Sequence, residues 1–501
     1  MELLAHSKMA IAVALTSAAL NGCPVGPSFV QPEAPRTNAY TADPLPTETV
    51  ATVVTGGAAQ RLQFGQEIPD QWWTLFQSPA LDQLVRQAIA DSPTLAAAQA
   101  TLRQAQETLR AELGVAWSPA VDAVLIGRRQ RISGAAFGQP SAPASEFSLY
   151  NASVGVSYSL SLAGGTQREL ESLRSQVDYQ RFQLEAAYLA LTANIVTTAL
   201  TEAALRAQIR VTQEMVATEE QQLTIVERQF ELGAASRPDV LVQRTQLAQT
   251  RASLPLLNKA LAQTRHALAV LVGKLPSEAR LPEFELDGFE LPQAVPVSLP
   301  SALVRQRPDI RASEALLHSA SAQIGVATAA MFPQITLTGS IGSESTRSAG
   351  LFQSDTGVWN FGAALLQPLF HGGELAARRR GAIAAYDQAA AQYRETVLLA
   401  FQNVADVLRA LDADAAALKA QAEADAAARD ALTLSESQFK LGAVSYLVLL
   451  IAQRQYRLTH MALVQAQATR YADTAALFQA LGGGWWNRAA AADETTSANQ
   501  N

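Results

Sequence analysis

The sequence contains one phrase twice, as Gln229-Phe-Glu-Leu-Gly-Ala-Ala-Ser236 and again as Gln438-Phe-Lys-Leu-Gly-Ala-Val-Ser445. The two copies lie 209 residues apart, and the same offset places Asn151 over Asn360. The alignment continues for roughly a hundred residues without an insertion, which indicates a tandem duplication. We therefore predict a chain built from two copies of one structural unit, each consisting of one helix, a pair of strands and two long helices in that order.

The region before each copy of the phrase favours a very long helix. Residues 166–231 contain neither proline nor glycine, and their leucines recur at a spacing of about 3.5 residues. A helix of roughly 67 residues is about 100 Å long, which is typical of a coiled-coil shaft. A shorter helix follows each glycine break. The predicted long helices are 166–232 and 236–272 in the first repeat, and 374–441 and 445–482 in the second.

Alternating side chains predict two strands in each repeat, near 120–160 and near 334–369. Apolar and polar residues alternate from Tyr150 to Leu160, and the second repeat keeps the same alternation. Strands of about 9 to 11 residues with one apolar face are typical of transmembrane β-strands. Hairpins of a soluble protein are the alternative. The predicted lipid-facing side chains are Tyr150, Val154, Val156, Trp359, Phe361 and Leu365.

Four strands per chain are too few to close a barrel, because bacterial outer-membrane barrels begin at about eight strands. Two chains would give eight strands, and side chains fill the interior of a barrel of that size. Three chains would give twelve strands and leave an open lumen. The predicted fold class is therefore a mixed α/β membrane protein: a trimeric, twelve-stranded outer-membrane β-barrel, with four strands from each chain, continued by a long α-helical coiled-coil tunnel.

The chain has one cysteine, Cys23, so an internal disulfide and a zinc site built from cysteines are both excluded. An apolar run of about twelve residues precedes Cys23 and is typical of a signal peptide rather than a membrane-spanning helix. We predict a signal peptide at 1–22 and a lipidated Cys23, because Leu20 and Gly22 match a bacterial lipobox. The alternative is an ordinary secretory signal ahead of an unmodified cysteine.

Charge and motif content exclude several function classes. The formal net charge is −7 and no block of Lys and Arg occurs, so no nucleic-acid partner is predicted. The five histidines never pair four residues apart, and zinc-protease, nucleophile-elbow and phosphate-loop motifs are missing. We therefore predict no enzyme activity, no cofactor and no metal site. His318 and His460 are expected to be helix histidines with hydrogen-bond partners.

These features together resemble the TolC-like outer-membrane efflux proteins, in particular the NodT-type lipoprotein branch that serves resistance-nodulation-division pumps. Besides the two Leu-Gly-Ala phrases, the resemblance rests on Cys23-Pro-Val-Gly-Pro27, Trp72-Trp73 and Gln367-Pro-Leu-Phe-His-Gly-Gly373. It implies a homotrimer in outer-membrane lipid that works with a periplasmic adaptor (membrane fusion) protein and an inner-membrane resistance-nodulation-division transporter. The implied function is passive conduction of small molecules, such as drugs, to the exterior.

The resemblance also implies an equatorial belt around the tunnel. The predicted organisation is therefore a signal peptide at 1–22, a lipidated N-terminal and equatorial segment at 23–70, a first repeat at 71–275, an equatorial linker at 276–296, a second repeat at 297–482 and a polar, disordered tail at 483–501.

The two glycine breaks are predicted to end the long helices in the left-handed conformation of a Schellman motif. The resemblance implies that both turns are periplasmic tips that contact the adaptor, through Gly233, Ala234, Ser236, Gly442, Ala443 and Ser445. Ser236 and Asp239 have the spacing of a helix capping box. The resemblance equally allows Asp239, together with Arg237, to form a pore constriction, and both roles stay open. The second repeat has Val448 to Ile451 where the family often has an acidic residue.

Two alternatives stand beside the efflux channel. One is the outer-membrane channel of a type I protein secretion system, against which the lipobox argues. The other is a structural periplasmic coiled-coil lipoprotein without a pore, against which the alternating strands and the duplication argue.

Overall fold

A computed structural model describes residues 24–138 and 140–488. Cys23 and the predicted signal peptide lie outside the described residues, as does the end of the chain from residue 489. Within the described part, the chain forms eight α-helices and six strands, connected by loops and short 3-10 turns.

The helices form two matching series. The first series is α1 (Pro79–Asp91), α2 (Pro93–Trp117), α3 (Gly165–Glu231) and α4 (Arg237–Leu271). The second series is α5 (Pro300–Gln306), α6 (Pro308–Ala329), α7 (Glu374–Lys440) and α8 (Tyr446–Ala480). Helices α3 and α7 have 67 residues each, and α4 and α8 have 35 each, so the repeats agree in length as well as in order.

The strands are β1 (Arg61–Phe64), β2 (Ala120–Ile132), β3 (Ser145–Ser161), β4 (Ala294–Val297), β5 (Gln334–Ser345) and β6 (Gly357–Leu366). Strands β2, β3, β5 and β6 form one antiparallel sheet in that order, while β1 pairs in parallel with β4. The strand pairs of the two repeats therefore join through β3 and β5.

Each repeat begins with two helices where the sequence predicted one. Pro93 starts α2 and Pro308 starts α6. Proline lacks an N–H and forces the residue before it out of the helical region. Ser92 and Arg307 are accordingly extended, with ψ angles of 118° and 126°. The single-helix prediction was wrong because a proline tolerated at the first position of one helix also ends the helix before it.

The described chain divides into two compact units. One comprises residues 24–32, 101–180 and 312–393, and it contains the four-stranded sheet. The other comprises residues 33–100, 181–311 and 394–488, and it contains the β1–β4 pair and the two glycine breaks.

The core of the second unit combines aromatic side chains with the apolar stripes of the long helices. Trp72 stacks on Phe478 with ring centroids 5.5 Å apart. Seven-residue spacing marks the buried stripe of α7, as the sequence predicted for a coiled-coil helix. The fully buried members of that stripe are Val404, Leu411 and Leu418.

By length and composition alone, α3 is the one described helix that could cross a membrane. A helix in the core of a soluble protein meets the same criterion. Its side chains Ile195, Val196 and Leu200 are buried in the core of the second unit. Burial inside the protein therefore accounts for part of its apolar composition, since 39% of the apolar stretch is buried.

The sequence predicted a disordered tail from residue 483, and this was wrong for its first six residues. Trp485 lies edge-on to Phe182 with ring centroids 5.9 Å apart, and its indole N–H donates to the carbonyl of Gln306 at 2.6 Å. The guanidinium of Arg488 covers the ring of Tyr188 at 3.9 Å. Aromatic packing and cation–π contact offset the entropy lost on ordering this segment.

Candidate functional site

The register of the sheet places the predicted lipid-facing side chains on one face. Val154 in β3 is paired with Ala123 in β2 and with Ile341 in β5, and Ile341 is paired with Trp359 in β6. Side chains of directly paired residues point to the same face of a sheet. The apolar positions of both repeats therefore form one continuous apolar face across all four strands.

This apolar face is exposed on the chain. Trp359 and Phe361 are 73% and 81% exposed, with ring centroids 5.9 Å apart, and Leu365 is 64% exposed. Val156 belongs to the same face, because it is paired with Gly339 and Gly339 is paired with Phe361. Tyr150 also lies on this face and is half-buried. A contiguous apolar surface of this kind marks contact with lipid or with another apolar surface.

The opposite face of the sheet carries hydrogen-bonded polar side chains. Ser153 donates to the side-chain oxygen of Asn151 at 2.8 Å, and the Asn151 amide donates to Glu344 at 3.4 Å. Asn360 donates to the hydroxyl of Ser340 at 2.7 Å. Several apolar side chains that the sequence analysis did not place also lie on this face, among them Val124, Ile126, Val358 and Leu366. The face is therefore predominantly, but not entirely, polar.

Both glycine breaks adopt the predicted left-handed conformation, with φ of +77° at Gly233 and +71° at Gly442. The N–H of Ala234 donates to the carbonyl of Gln229 at 2.8 Å, and the Gly233 N–H donates to Phe230 at 3.0 Å. This pair of bonds is the Schellman motif, and the second repeat has the equivalent pair. The predicted helix ends are confirmed.

The two turns lie together in the second unit. A small apolar cluster joins the helix ends on either side of them: Val226, Val240, Tyr446 and Leu449. The Tyr446 hydroxyl also donates to the side chain of Gln243, which links α8 to α4. Sequence reasoning missed this bond, because the two residues occupy unrelated positions in the two repeats. All six predicted tip residues are exposed, namely Gly233, Ala234, Ser236, Gly442, Ala443 and Ser445.

The start of α4 carries the predicted capping box. The Asp239 carboxylate accepts from the Ser236 N–H at 2.9 Å, and the Ser236 hydroxyl accepts from the Asp239 N–H at 3.4 Å. Arg237 is exposed and has no ion-pair partner among the described residues. The start of α8 differs, since the Ser445 side chain makes no capping bond. The capping role of Asp239 is confirmed, while its pore role stays a prediction.

The residues that follow Cys23 are attached to the end of the sheet. The Val25 N–H donates to the carbonyl of Ala163 at 3.0 Å, and the buried Arg168 guanidinium donates to the carbonyl of Val25 at 3.1 Å. Pro24 packs closely against Gly164: a β-carbon added to Gly164 would lie 2.6 Å from the Cα of Pro24. The segment that begins at Pro24 is therefore fixed at the junction between β3 and α3, whereas Cys23 lies outside the described residues.

The two helix histidines have the expected partners. His318 lies 2.9 Å from a Glu171 oxygen and stacks on Phe29, and His460 lies 2.9 Å from an Asp425 oxygen. No cluster of three His, Cys, Asp or Glu side chains that could hold a metal occurs in the described part of the chain.

Comparison with known proteins identifies the family of the chain. The family model for outer membrane efflux proteins matches residues 84–274 and 299–483 separately, one match for each repeat. The efflux pump outer membrane protein TtgC of Pseudomonas putida is 32% identical over 500 residues, covering 98% of this chain and 99% of the relative. The outer membrane protein OprJ of Pseudomonas aeruginosa is 30% identical over 484 residues, covering 95% of each.

Solved structures show the same fold. The outer-membrane channel OprN has a TM-score of 0.82 at 26% identity, covering 92% of this chain and all of that one. The open state of the MtrE outer membrane channel of Neisseria gonorrhoeae has a TM-score of 0.77 at 28% identity, covering 92% of this chain and 99% of that one. The likeness confirms the predicted fold class, the trimeric TolC-like channel with a barrel and a helical tunnel. The chain belongs to the outer membrane efflux protein family, whose members include the outer-membrane components of efflux pumps.

Proposed function

We propose that this protein is the outer-membrane channel of a tripartite efflux system and passively conducts small organic molecules to the exterior. The observation that carries this function is the strand register, which puts an exposed apolar face and a hydrogen-bonded polar face on opposite sides of one four-stranded sheet. A sheet of this kind can face lipid on one side and water on the other. Relatives are named for toluene and antibiotic efflux, which favours small organic compounds as cargo.

The assembly that completes the channel is a homotrimer. Strands β2 and β6 are the edges of the sheet, and each has an unpaired side. In lipid every backbone polar group needs a partner, so the edges have to be joined to those of other copies. Three copies supply twelve strands and leave a lumen, whereas two supply eight and fill it with side chains.

The partners are a periplasmic adaptor and an inner-membrane transporter of the resistance-nodulation-division class. Support for an adaptor surface comes from the two exposed turns, where a β-carbon added at Gly233 or Gly442 would meet no atom within 4 Å. The glycines are therefore required by their positive φ and not by crowding. The open surface beside them leaves room for the helices of a partner protein.

Cys23 is proposed to be the lipid anchor. Its neighbour Pro24 is held at the end of the sheet, so acyl chains on Cys23 would start next to the strands that enter the membrane. Palmitate labelling should modify the wild-type protein and leave Cys23→Ala unlabelled, with a trimer that folds but is retained less firmly by membranes. A mature N-terminus that begins after residue 23 would contradict the anchor.

The function is tested by drug retention in cells that lack the gene. Accumulation of a fluorescent drug should rise in the deletion strain and return to the wild-type level when the gene is restored. A structural lipoprotein would leave accumulation unchanged, and a protein-secretion channel would restore export of a secreted protein but not of the drug.

A further inference from the structure

A cavity of about 220 Å³ lies between the two repeats, within the second unit. Helix α3 contributes one wall and α8 the other, and Leu432 of α7 also lines the cavity. An engineered cavity of ~150 Å³ is large enough for benzene. This cavity can therefore hold a molecule with one or two rings. Its lining residues are Val211, Glu214, Met215, Thr218, Glu219, Leu432, Gln453, Tyr456, Arg457 and His460.

Two buried polar groups of the lining lack hydrogen-bond partners. Glu219 is 6% exposed; its Oε1 accepts from Thr250 at 3.0 Å and from Gln246 at 3.1 Å, but its Oε2 has no partner among the described residues. Neither the amide nitrogen nor the amide oxygen of Gln453 has a partner there. Leaving such groups unpaired costs about 1–3 kcal/mol each, more for a charged oxygen. These atoms are enclosed by their neighbours, so a bound molecule would supply the missing donor for Glu219 once the carboxylate turns toward the cavity.

The charges around the cavity favour a cation. Asp425 is neutralised by neighbours, since its two oxygens accept from His460 and Arg429, each at 2.9 Å. Arg457 donates to the Thr250 hydroxyl at 2.9 Å rather than to a carboxylate. The buried Glu219 thus has no arginine or lysine bonded to it, and Glu214 adds a second carboxylate to the lining. A single positive charge on a ligand would provide the partner that the Glu219 carboxylate lacks.

The remaining surface of the cavity is apolar and includes an aromatic ring. Met215 and Leu432 face it, and the Tyr456 ring stacks on His460 with centroids 5.3 Å apart. Thioether and aromatic side chains pack well against flat ring systems. The cavity therefore combines an apolar wall with a buried acceptor, which is the recognition pattern for an amphipathic amine.

Two lining residues of α8, Gln453 and Tyr456, are not a general consequence of helix packing, because the aligned positions of the first repeat differ. The 209-residue offset aligns Gln453 with Arg244 and Tyr456 with Leu247. Arg244 is engaged by Glu227 in an ion pair of 2.6 Å, and Leu247 is buried in the apolar contact of its helix. Gln453 and Tyr456 therefore have no counterparts at the aligned positions of the first repeat.

We propose that this cavity is a binding site for a small amphipathic monoamine, with its ammonium group on the free oxygen of Glu219 and its ring system against Met215, Leu432 and Tyr456. Such a ligand contacts helices from both repeats and therefore stabilises their packing, because anything that binds only the folded chain raises its stability. The proposed binding is inferred from the cavity lining and not from the transport function. The two are tested by separate measurements.

Calorimetric titration of the full-length protein in detergent tests the site. The probe is 1-naphthylmethylamine, which is protonated at pH 7, and the matched uncharged probe is 1-naphthylmethanol. We expect saturable binding of one amine per chain and a rise in the melting temperature, with the alcohol bound at least about tenfold more weakly because it lacks the charge-assisted bond to Glu219. Equal binding of the two probes, or no saturable binding of the amine, would overturn the proposal.

Two substitutions on α3 provide a matched pair. Glu219→Gln keeps an acceptor for Thr250 but removes the charge, and it should reduce amine affinity to that of the alcohol. Glu220→Gln removes the next carboxylate, which is exposed and paired with Arg251 at 2.5 Å, and it should leave amine affinity unchanged. Identical effects of the two variants would contradict the proposal.

A cavity-filling variant covers the case in which Glu219→Gln does not fold. Met215→Trp occupies the apolar wall without altering any charge, and it should abolish binding of both probes while the protein remains assembled on gel filtration. Wild-type binding in this variant would place the amine elsewhere and overturn the assignment.

Discussion

Asp414 on α7 lies beside Asp473 on α8, and the two carboxyl groups cannot both ionise without cost. Burial, followed by the hydrogen bond and the negative charge of Asp473, raises the pKa of Asp414 to about 7, although the positive charge of Arg470 opposes the shift. A folded-state pKa above the unfolded value means that the folded protein holds an extra proton between about pH 4 and pH 7. The stability linked to that proton is present at low pH and is lost as the pH rises through 7.

The pH dependence of thermal unfolding should therefore report this pair. In detergent, the wild-type melting temperature should fall between pH 5 and pH 8, and Asp414→Asn should reduce that fall because its side chain does not titrate. Asp406→Asn, at an exposed position of the same helix, is the control and should keep the wild-type profile. An undiminished fall in Asp414→Asn would show that the proton is held elsewhere.

Ser236 and Ser445 occupy equivalent positions in the two repeats but differ in what their hydroxyl groups do. The Ser236 hydroxyl belongs to a capping box, whereas the Ser445 side chain makes no capping bond. Loss of a serine cap costs about 1 kcal/mol of helix stability. We expect Ser236→Ala to speed amide hydrogen exchange in the first turn of α4 about fivefold, since that energy corresponds to such a factor. Ser445→Ala should leave exchange at the start of α8 unchanged, and equal effects would show that the cap is not stabilising.

At the scale of the strand, the two faces should respond oppositely to charge. Arginine on the lipid side of a barrel costs roughly 2–4 kcal/mol near mid-membrane, and less on the lumen side. Val154→Arg on the apolar face should therefore lower the yield of heat-modifiable trimers in outer-membrane fractions, as should Ala363→Arg. Ser153→Arg, one residue along the same strand, should assemble normally. Matching yields for Val154→Arg and Ser153→Arg would mean that the faces are assigned to the wrong sides.

At the scale of the helical turn, bulk beside the glycines should separate folding from docking. Ala234→Trp and Ala443→Trp leave both left-handed glycines unchanged and add side chains at exposed positions. We expect the double variant to form normal trimers in the outer membrane and to lose resistance to exported compounds. Wild-type efflux by this variant would place the adaptor surface away from the turns.

Features of these elements that depend on residues close together in the sequence could be predicted. Strand parity, the glycine turns and the Ser236–Asp239 cap each depend on a few consecutive residues. The split at Pro93 was missed, although its signal is equally local, because a proline in the first turn of one helix also ends the helix before it. The order around Trp485 was missed because it depends on contact with Phe182, which lies far away in the sequence.

At the scale of the whole molecule, the duplication made the architecture predictable, because both repeats had to satisfy the same arrangement of helices and strands. The amine cavity and the Asp414–Asp473 pair could not be predicted in this way. Each forms where side chains of different helices meet, and neither has a counterpart at the aligned positions of the other repeat. Features that the duplication did not preserve carry no repeated signal in the sequence.

The sheet is expected to separate lipid from an aqueous lumen, and adjacent residues of β5 test this directly. Leu337 lies on the apolar face, where it is paired with Tyr158, and Thr338 lies on the opposite face, where it is paired with Ser157. Leu337→Cys and Thr338→Cys, each combined with Cys23→Ala and labelled with bimane, are reconstituted into liposomes. The measurement is fluorescence quenching by brominated lipid compared with quenching by iodide in the buffer. We expect brominated lipid to quench the label at 337 and iodide to quench the label at 338. Equal quenching of both labels by iodide, with none by brominated lipid, would contradict it.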